Sequence, residues 1–184
     1  RSFTFTIDRG TYNDTQMSNA AGAALQRQIR EVVVPEIDKY RFGKICEGAK
    51  TTVTGKVTKA NAYDAFLTGA TTLIENNVPL VGSCAFVSSD FYKNIKEDSS
   101  FIRNGDMSQE ILIKGQVGTI DGIPLIVVPK SYFPENVEFI ITNQAATTSP
   151  VKLSEYKIHD NPPGINGWLV EGRVYYDAFV LENK

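Results

Sequence analysis

The longest helical pattern in the sequence extends over residues 16–47. Its apolar residues recur every three or four positions and form one stripe: Met17, Ala21, Leu25, Ile29, Val33, Ile37 and Tyr40. This spacing predicts an amphipathic helix, which Asp14 or Thr15 caps at its amino end. Pro35 lies inside the stripe and lacks a backbone donor, so we expect a kink or a break near residues 31–34. The polar face shows no ligand spacing, which indicates a packing role.

Strand patterns mark both ends of the chain. Phe3, Phe5 and Ile7 alternate with polar residues, which is typical of a strand with one buried face. From residue 168, a second alternation keeps its apolar residues on one side: Trp168, Val170, Val174, Tyr176, Ala178 and Val180. A weaker strand pattern at 151–158 precedes a proline-rich loop at 160–167. Because long apolar strands with exposed edges pair with other chains, the terminal strands predict an obligate assembly.

The middle of the chain alternates between helical and strand patterns. A polar run at 48–59 predicts a connection between two parts, and Asn61 then caps a predicted helix with an apolar face of Ala62, Phe66, Ala70, Leu73 and Ile74. A buried strand is predicted at 80–87, followed by a short helix that the run Ser88, Ser89 and Asp90 caps and that carries Phe91 and Ile95.

Further strands are predicted at 109–117, 123–128 and 137–142. Asp121 and Gly122 separate the first two and predict a hairpin, because both central residues of its turn need a positive φ. This alternation predicts a mixed α/β layer over residues 60–129.

Composition and charge narrow the classes of function. The 42% hydrophobic residues suffice for a packed core. The formal net charge is −2, with both signs interspersed. Proteins that bind nucleic acid or anionic membranes are basic, so this charge disfavours both as partners. No apolar run reaches the ~18 residues that span a bilayer. Cys46 and Cys84 lie far apart in the sequence and favour two free thiols, which indicates a reducing compartment.

Catalytic and metal-binding patterns are sparse. His159 is the one histidine, and the sequence contains no nucleophile elbow around which it could serve a triad. The aspartates fit no calcium-loop spacing, and Gly115, Gly118 and Gly122 suit a hairpin better than a dinucleotide-binding turn, so we predict no metal and no cofactor. A pair of carboxylates that are distant in sequence stays open as an alternative enzyme site.

Three segments resemble tailed-phage major capsid proteins. Residues 115–129 are similar to a stretch of those proteins in which a strand, a glycine-containing turn, an apolar strand and a proline follow one another. Residues 151–156 with 168–184 resemble their closing strands, and residues 5–9 with 34–40 resemble the entry to their long helix. The order of the segments along the chain supports the resemblance more than any one of them does.

The resemblance implies an α+β fold, the Hong Kong-phage-type coat fold. A peripheral domain would comprise residues 1–59 and 143–184, with a spine helix, a sheet and the remnant of an extended loop. A mixed α/β axial domain would comprise residues 60–142. The N-terminal arm and the first strand of the extended loop have no counterpart here, so residues 1–7 resemble the returning strand of a truncated loop.

The resemblance also implies a function. The chain would be a structural subunit of a phage or prophage capsid rather than an enzyme, assembling in the bacterial cytoplasm into hexamers and pentamers around packaged DNA. Its partners would be copies of itself, with a scaffolding protein or a maturation protease as further candidates. Contacts are expected at a ring-centre turn and on the first strand: Thr119, Ile120, Asp121, Gly122 and Ile123, and Phe3, Phe5 and Ile7. The alternatives are an encapsulin-like nanocompartment shell, a mixed α/β binding module and a carboxylate-pair enzyme.

Overall fold

A computed structural model of the chain describes residues 1–14, 20–98 and 116–181. The chain forms two compact units, Arg1–Arg41 with Ser149–Ala178, and Phe42–Thr148 with the segment from Phe179 onward. These bounds differ from those of the predicted domains, and the division into a peripheral and an axial domain stays a prediction.

The regular elements alternate along the chain. The strands are β1 (Ser2–Asp8), β2 (Ser83–Ser88), β3 (Gln116–Ile120), β4 (Ile123–Val128), β5 (Phe139–Asn143), β6 (Thr147–Thr148), β7 (Val151–Asp160), β8 (Gly167–Tyr176) and β9 (Phe179–Val180). The helices are α1 (Arg9–Asp14), α2 (Ala21–Gln28), α3 (Val34–Glu47), α4 (Ala62–Glu75) and α5 (Ser89–Glu97). Short 3-10 turns lie at Lys130–Tyr132 and Gln144–Ala146.

The long helix is present but irregular. A π-helical segment, Ile29–Val33, joins α2 to α3, and the backbone N–H of Val34 donates to the carbonyl of Ile29. Because Pro35 cannot donate to the turn before it, the wider π turn lies at the position where the sequence predicted a kink. The predicted cap at Asp14 is wrong, since Asp14 ends α1 and the N-cap of α2 is Ala20, without a side-chain hydrogen bond. Met17 and Thr15 lie outside the described residues.

In the first unit, β8 lies between β1 and β7, and both pairings are antiparallel. The C-terminal strand is therefore not an exposed edge, contrary to the sequence prediction, because the N-terminal strand itself covers one of its sides. The core beneath this sheet contains Val33 and Ile37 of the long helix and Val174 of β8. Phe3, Tyr156 and Tyr176 pack around it.

The second unit contains a four-stranded sheet in the order β3-β4-β2-β5. Strand β2 is central, as predicted, and pairs parallel to β4 and antiparallel to β5. A core cluster of this unit combines residues of α4, α5 and three strands. All are less than a tenth exposed: Ala62, Phe66, Ala70, Ala85, Val87, Phe91, Ile95, Ile120, Ile123 and Leu125. Gly69 lets α4 approach this sheet closely, because a β-carbon there would lie 3.1 Å from Cδ1 of Ile141.

Caps were predicted from the sequence for two helices of the second unit, α4 and α5. The Ser88 side chain accepts from the backbone N–H of Phe91, which confirms the predicted cap of α5. Asn61 is the N-cap residue of α4, but its side chain accepts from the backbone N–H of Thr58 instead. Asp98, which is 2% exposed, accepts from the backbone N–H of Tyr63 in the first turn of α4 and supplies the missing cap.

Three further details correct the predicted boundaries. Residues 80–82 form a turn rather than the start of β2, Ile74 is 55% exposed rather than part of the buried face of α4, and the last strand is interrupted at Asp177 and Ala178. Residues 109–115 of the predicted strand at 109–117 lie outside the described residues.

Candidate subunit interface

The hydrogen-bond pattern of β1 shows which of its backbone groups face β8. The N–H of Val174 donates to the carbonyl of Arg1 at 2.8 Å, and the N–H of Arg9 donates to the carbonyl of Asn166 at 3.1 Å. In an antiparallel ladder, residues with such bonds alternate with residues whose N–H and C=O point the other way. The odd-numbered residues of β1 therefore bond to β8. Ser2, Thr4, Thr6 and Asp8 direct their N–H and C=O groups to the opposite edge, with which no strand pairs in the described part of the chain.

The predicted contact residues of β1 lie on one face of the strand. Phe3 and Phe5 are half-buried and stack with their ring centroids 6.3 Å apart, whereas Ile7 is buried at 8% exposure. Phe3 rests on Gly172, where a side chain would occupy the space of its ring. Phe3 and Phe5 thus keep surface that a neighbouring chain can cover, while Ile7 belongs to the fold of this chain.

The other outer strand of this sheet is protected. Strand β7 has a register irregularity between Val151 and Leu153, and its solvent-facing side carries Glu155, Lys157 and His159. Nε2 of His159 lies 2.9 Å from Oε1 of Glu171, and this hydrogen bond lowers the pKa of the Glu171 carboxyl. His159 is therefore an exposed residue with a structural partner.

The predicted ring-centre turn joins β3 to β4. Asp121 has φ 49° and Gly122 has φ 79°, which confirms the predicted hairpin turn. Thr119, Asp121 and Gly122 are exposed at its tip, whereas Ile120 and Ile123 are 3% and 0% exposed in the core of the second unit. The tip that a neighbour could touch is thus limited to the three exposed residues, and the two isoleucines support it from within.

A charged cluster lies where β2 and β4 end in the second unit. Nζ of Lys130 donates to Oδ2 of Asp90 at 2.8 Å and to Oε1 of Glu138 at 3.2 Å. The hydrogen bond from Lys130 holds the pKa of the Asp90 carboxyl below its usual value, and the two carboxylates raise the pKa of Lys130. Glu138 also accepts from the hydroxyl of Ser88 at 2.6 Å. The positive charge of Lys130 is balanced by these two carboxylates, and the cluster links the segments that follow β2 and β4.

The remaining chemistry-bearing groups are isolated. Cys46 and Cys84 are free thiols, as predicted, and partial burial raises the pKa of each. Within residues 1–14, 20–98 and 116–181, no three His, Cys, Asp or Glu side chains are grouped as a metal site would need. None of the helices described there is both long and apolar enough to cross a membrane.

The backbone of the chain is similar to solved shell structures. It aligns over 98% of its length with the capsid of cyanophage P-SCSP1u, at a TM-score of 0.69 and 14% identity, and covers 68% of that chain. It aligns over 98% of its length with the head of the Helicobacter pylori bacteriophage KHP40, at a TM-score of 0.62 and 13% identity, and covers 67% of that chain. The chain has the fold of phage capsid proteins.

The capsid fold also occurs in a virus-like particle from Pyrococcus furiosus. The chain aligns with that structure over 97% of its length at a TM-score of 0.58 and 12% identity, and covers 71% of it. The chain spans about two thirds of the length of the structures it matches. No protein-family model matches the sequence, and no curated protein matches it.

Sequence reasoning found the apolar side of β1, the hairpin and an exposed edge on the terminal strands, but it could not tell which of these strands keeps that edge. The signal was the alternation of Ser2, Thr4 and Thr6 with the aromatic residues. That alternation shows which side chains share a face but not which backbone groups lack a partner, because the answer depends on the pairing with β8.

Proposed function

We propose that this chain is a structural subunit of a phage or prophage capsid that assembles with copies of itself into hexamers and pentamers around packaged DNA. The observation that carries the proposal is the likeness of nearly the whole chain to capsid and head structures. The net charge of −2 supports it, because a nearly neutral wall can enclose DNA without the basic surface that binds it.

Two surfaces of the subunit are proposed to meet its neighbours. The first is β1, where Phe3 and Phe5 are half-exposed beside an open edge. The second is the hairpin tip of Thr119, Asp121 and Gly122, proposed as the contact at the ring centre. Heterologous contacts, in which one patch meets a different patch of the next subunit, close into rings when the rotation between subunits is a whole fraction of a turn.

A nanocompartment shell of the encapsulin-like kind is the second candidate function. The specific observation in its favour is the likeness to the virus-like particle from Pyrococcus furiosus. Both candidates require self-assembly, and they differ in what the shell encloses.

Assembly and cargo can be tested together. The gene product that contains this chain is expressed in bacteria, and its particles are sized by light scattering and viewed by negative-stain electron microscopy. Closed shells or rings are expected, and a monomer at every concentration would refute both candidates. Mass spectrometry for protein cargo and nuclease-protected DNA extracted from purified shells then separate them, because a packaged host enzyme indicates a nanocompartment whereas enclosed DNA indicates a capsid.

The hairpin tip can be tested with a charge change that keeps the turn. Thr119→Glu adds a second negative charge beside Asp121 at the exposed tip, so copies that meet around a ring axis would repel one another more strongly and rings should be lost. Thr119→Gln is the matched control, because glutamine has nearly the same shape as glutamate and adds no charge. Intact rings of Thr119→Glu would place the ring centre elsewhere on the subunit.

A further inference from the structure

The loop between β7 and β8 ends in an asparagine that is followed by a glycine. Residues 162–165 form a turn, in which the N–H of Ile165 donates to the carbonyl of Pro162 at 3.1 Å. Asn166 follows this turn and is exposed, and Gly167 is the first residue of β8. The carboxamide of Asn166 has no hydrogen-bond partner within residues 1–14, 20–98 and 116–181, so its side chain is free to rotate.

An asparagine that precedes a glycine can lose its side-chain amide without a catalyst. The backbone nitrogen of the glycine attacks Cγ of the asparagine, and a five-membered ring forms. Because glycine has no β-carbon, no side chain hinders the approach of its nitrogen.

The attacking nitrogen of Gly167 is not occupied by its own sheet. The N–H of Arg9 donates to the carbonyl of Asn166 at 3.1 Å, so Gly167 faces β1 at a position of the ladder without hydrogen bonds. On the side of β7, the N–H of Asn161 donates to the carbonyl of Gly167 at 2.8 Å. The N–H of Gly167 itself has no partner in the described part of the chain, so no hydrogen bond must break before it reacts.

The hydrogen bond from Arg9 also favours the loss of the proton from Gly167. The carbonyl of Asn166 and the nitrogen of Gly167 belong to one peptide group, whose resonance couples them. A donor on the carbonyl oxygen withdraws electrons from that nitrogen, which therefore releases its proton more easily.

We infer that Asn166 is a site of spontaneous deamidation, in which the backbone nitrogen of Gly167 forms a cyclic imide with the side chain of Asn166. The Gly167 nitrogen gives its proton to hydroxide and bonds to Cγ of Asn166. The bond from Cγ to the side-chain nitrogen breaks, and ammonia leaves with a proton from water. One water molecule then opens the imide at either carbonyl, which gives aspartate or isoaspartate. The inference goes beyond the proposed function and does not depend on it.

The product adds a negative charge next to Arg9. The guanidinium of Arg9 donates to Oδ1 of Asp160 at 3.3 Å and lies over the ring of Trp168, 5.6 Å from its centroid. The buried Nε of Arg9 has no hydrogen-bond partner among the described residues. The new carboxylate therefore arises beside a cation that still has an unused donor.

Isoaspartate would also disturb the start of β8. The main chain of isoaspartate passes through its side chain and is one methylene longer. Gly167 lies so close to β1 that a β-carbon there would overlap the carbonyl oxygen of Ile7. The longer main chain should therefore weaken the pairing of β1 with β8.

Peptide mapping of the aged protein tests the inference. The purified full-length gene product is kept in mildly alkaline buffer, sampled over time and digested. Chromatography with mass spectrometry then separates asparagine, aspartate and isoaspartate at position 166. We expect a steady loss of the amide, the formation of both acidic products, and a rate that rises with hydroxide concentration, because the Gly167 nitrogen must lose its proton.

Two controls lie in the same loop. Asn161 is the internal control, because Pro162 has no N–H with which to attack it. Asn166→Gln is the matched variant, because its longer side chain would have to close a six-membered ring, which forms far more slowly. Both should keep their amides while Asn166 of the unchanged protein is lost.

A synthetic peptide of residues 159–169 shows how the same residues react without the fold. Loss of the Asn166 amide in the folded protein, with both acidic products and intact controls, supports the inference. If the folded protein keeps this amide, whether or not the peptide reacts, the inference is wrong. Aspartate without isoaspartate would exclude the cyclic imide, because direct hydrolysis of the side chain gives aspartate alone.

Discussion

The two units of this chain differ in how much of their sheet is buried. In the second unit, β2 is flanked on both sides, α4 and α5 contribute fully buried rings to one core cluster, and a second cluster contains Phe42, Val128 and Phe133. In the first unit, a small cluster around Val33, Ile37 and Val174 lies under one face of the sheet, and the other face carries Thr4, Thr6 and exposed charged residues. The second unit is therefore stabilised by its own core, whereas the first leaves an edge and aromatic surface that another chain can cover.

The largest expected effect is in the core of the second unit. Phe91 is 0% exposed, and Phe91→Ala should lower the free energy of unfolding by about 3–5 kcal/mol, because it removes a ring and leaves a cavity. Phe5→Ala removes the same ring from a half-buried site of the first unit and should cost clearly less. Urea unfolding followed by circular dichroism measures both, and equal losses would contradict the difference between the units.

A smaller effect is expected at the contact between β1 and β8. The β-carbon of Gly172→Ala would overlap the Phe3 ring and lie 2.8 Å from Cδ1 of Tyr156, so the variant should lose about 1–3 kcal/mol of stability. Gly43→Ala in the interior of α3 is the matched control, because nothing lies within 4 Å of the added carbon and an alanine in the middle of a helix should gain ~0.5–1 kcal/mol. Phe3→Leu combined with Gly172→Ala should recover part of the loss if the ring is the obstacle.

The smallest effect is electrostatic and lies in the second unit. Because Lys130 lowers the pKa of Asp90, this pair stabilises the fold above the unfolded pKa of an aspartate, about 3.9, and the contribution is lost as the pH falls through the lower folded value. Lys130→Met should raise the pKa of Asp90 toward its usual value, and the stability difference between the two proteins should shrink below about pH 4. Carboxyl NMR titration follows Asp90 directly. Lys93→Met is the control, since Lys93 is the weakest influence on that pKa, and an equal shift there would exclude the pairing as the cause.

Features that depend on neighbouring residues could be predicted from the sequence. Asp121 and Gly122 form the expected turn because the two residues themselves tolerate a positive φ, and Ser88 caps the helix that begins next to it. Pro35 marked the irregular turn of the long helix, because a missing backbone N–H affects the turn directly before it.

Features that depend on distant partners could not be predicted in this way. Asn61 has the residue type of a cap, yet Asp98 from the end of α5 reaches the first turn of α4 and leaves Asn61 to bond with the preceding loop. The alternation from Trp168 onward predicted a strand but not its place between β1 and β7. Exposed edges were predicted for both terminal strands, but only the pairing shows that β8 is covered on both sides and that β1 is an outer strand.

The π-helical turn before Pro35 has a consequence for changes in chain length. A π turn holds one more residue than an α turn, and each residue of an α-helix advances the direction of its side chain by about 100°. Because the π turn takes up that extra residue, deleting one residue within Ile29–Val33 would give a continuous α-helix in which Leu25 keeps its direction relative to Ile37. A one-residue deletion should therefore be tolerated here, whereas the same deletion in the regular part of α3 would rotate the residues before it by about 100° relative to those after it.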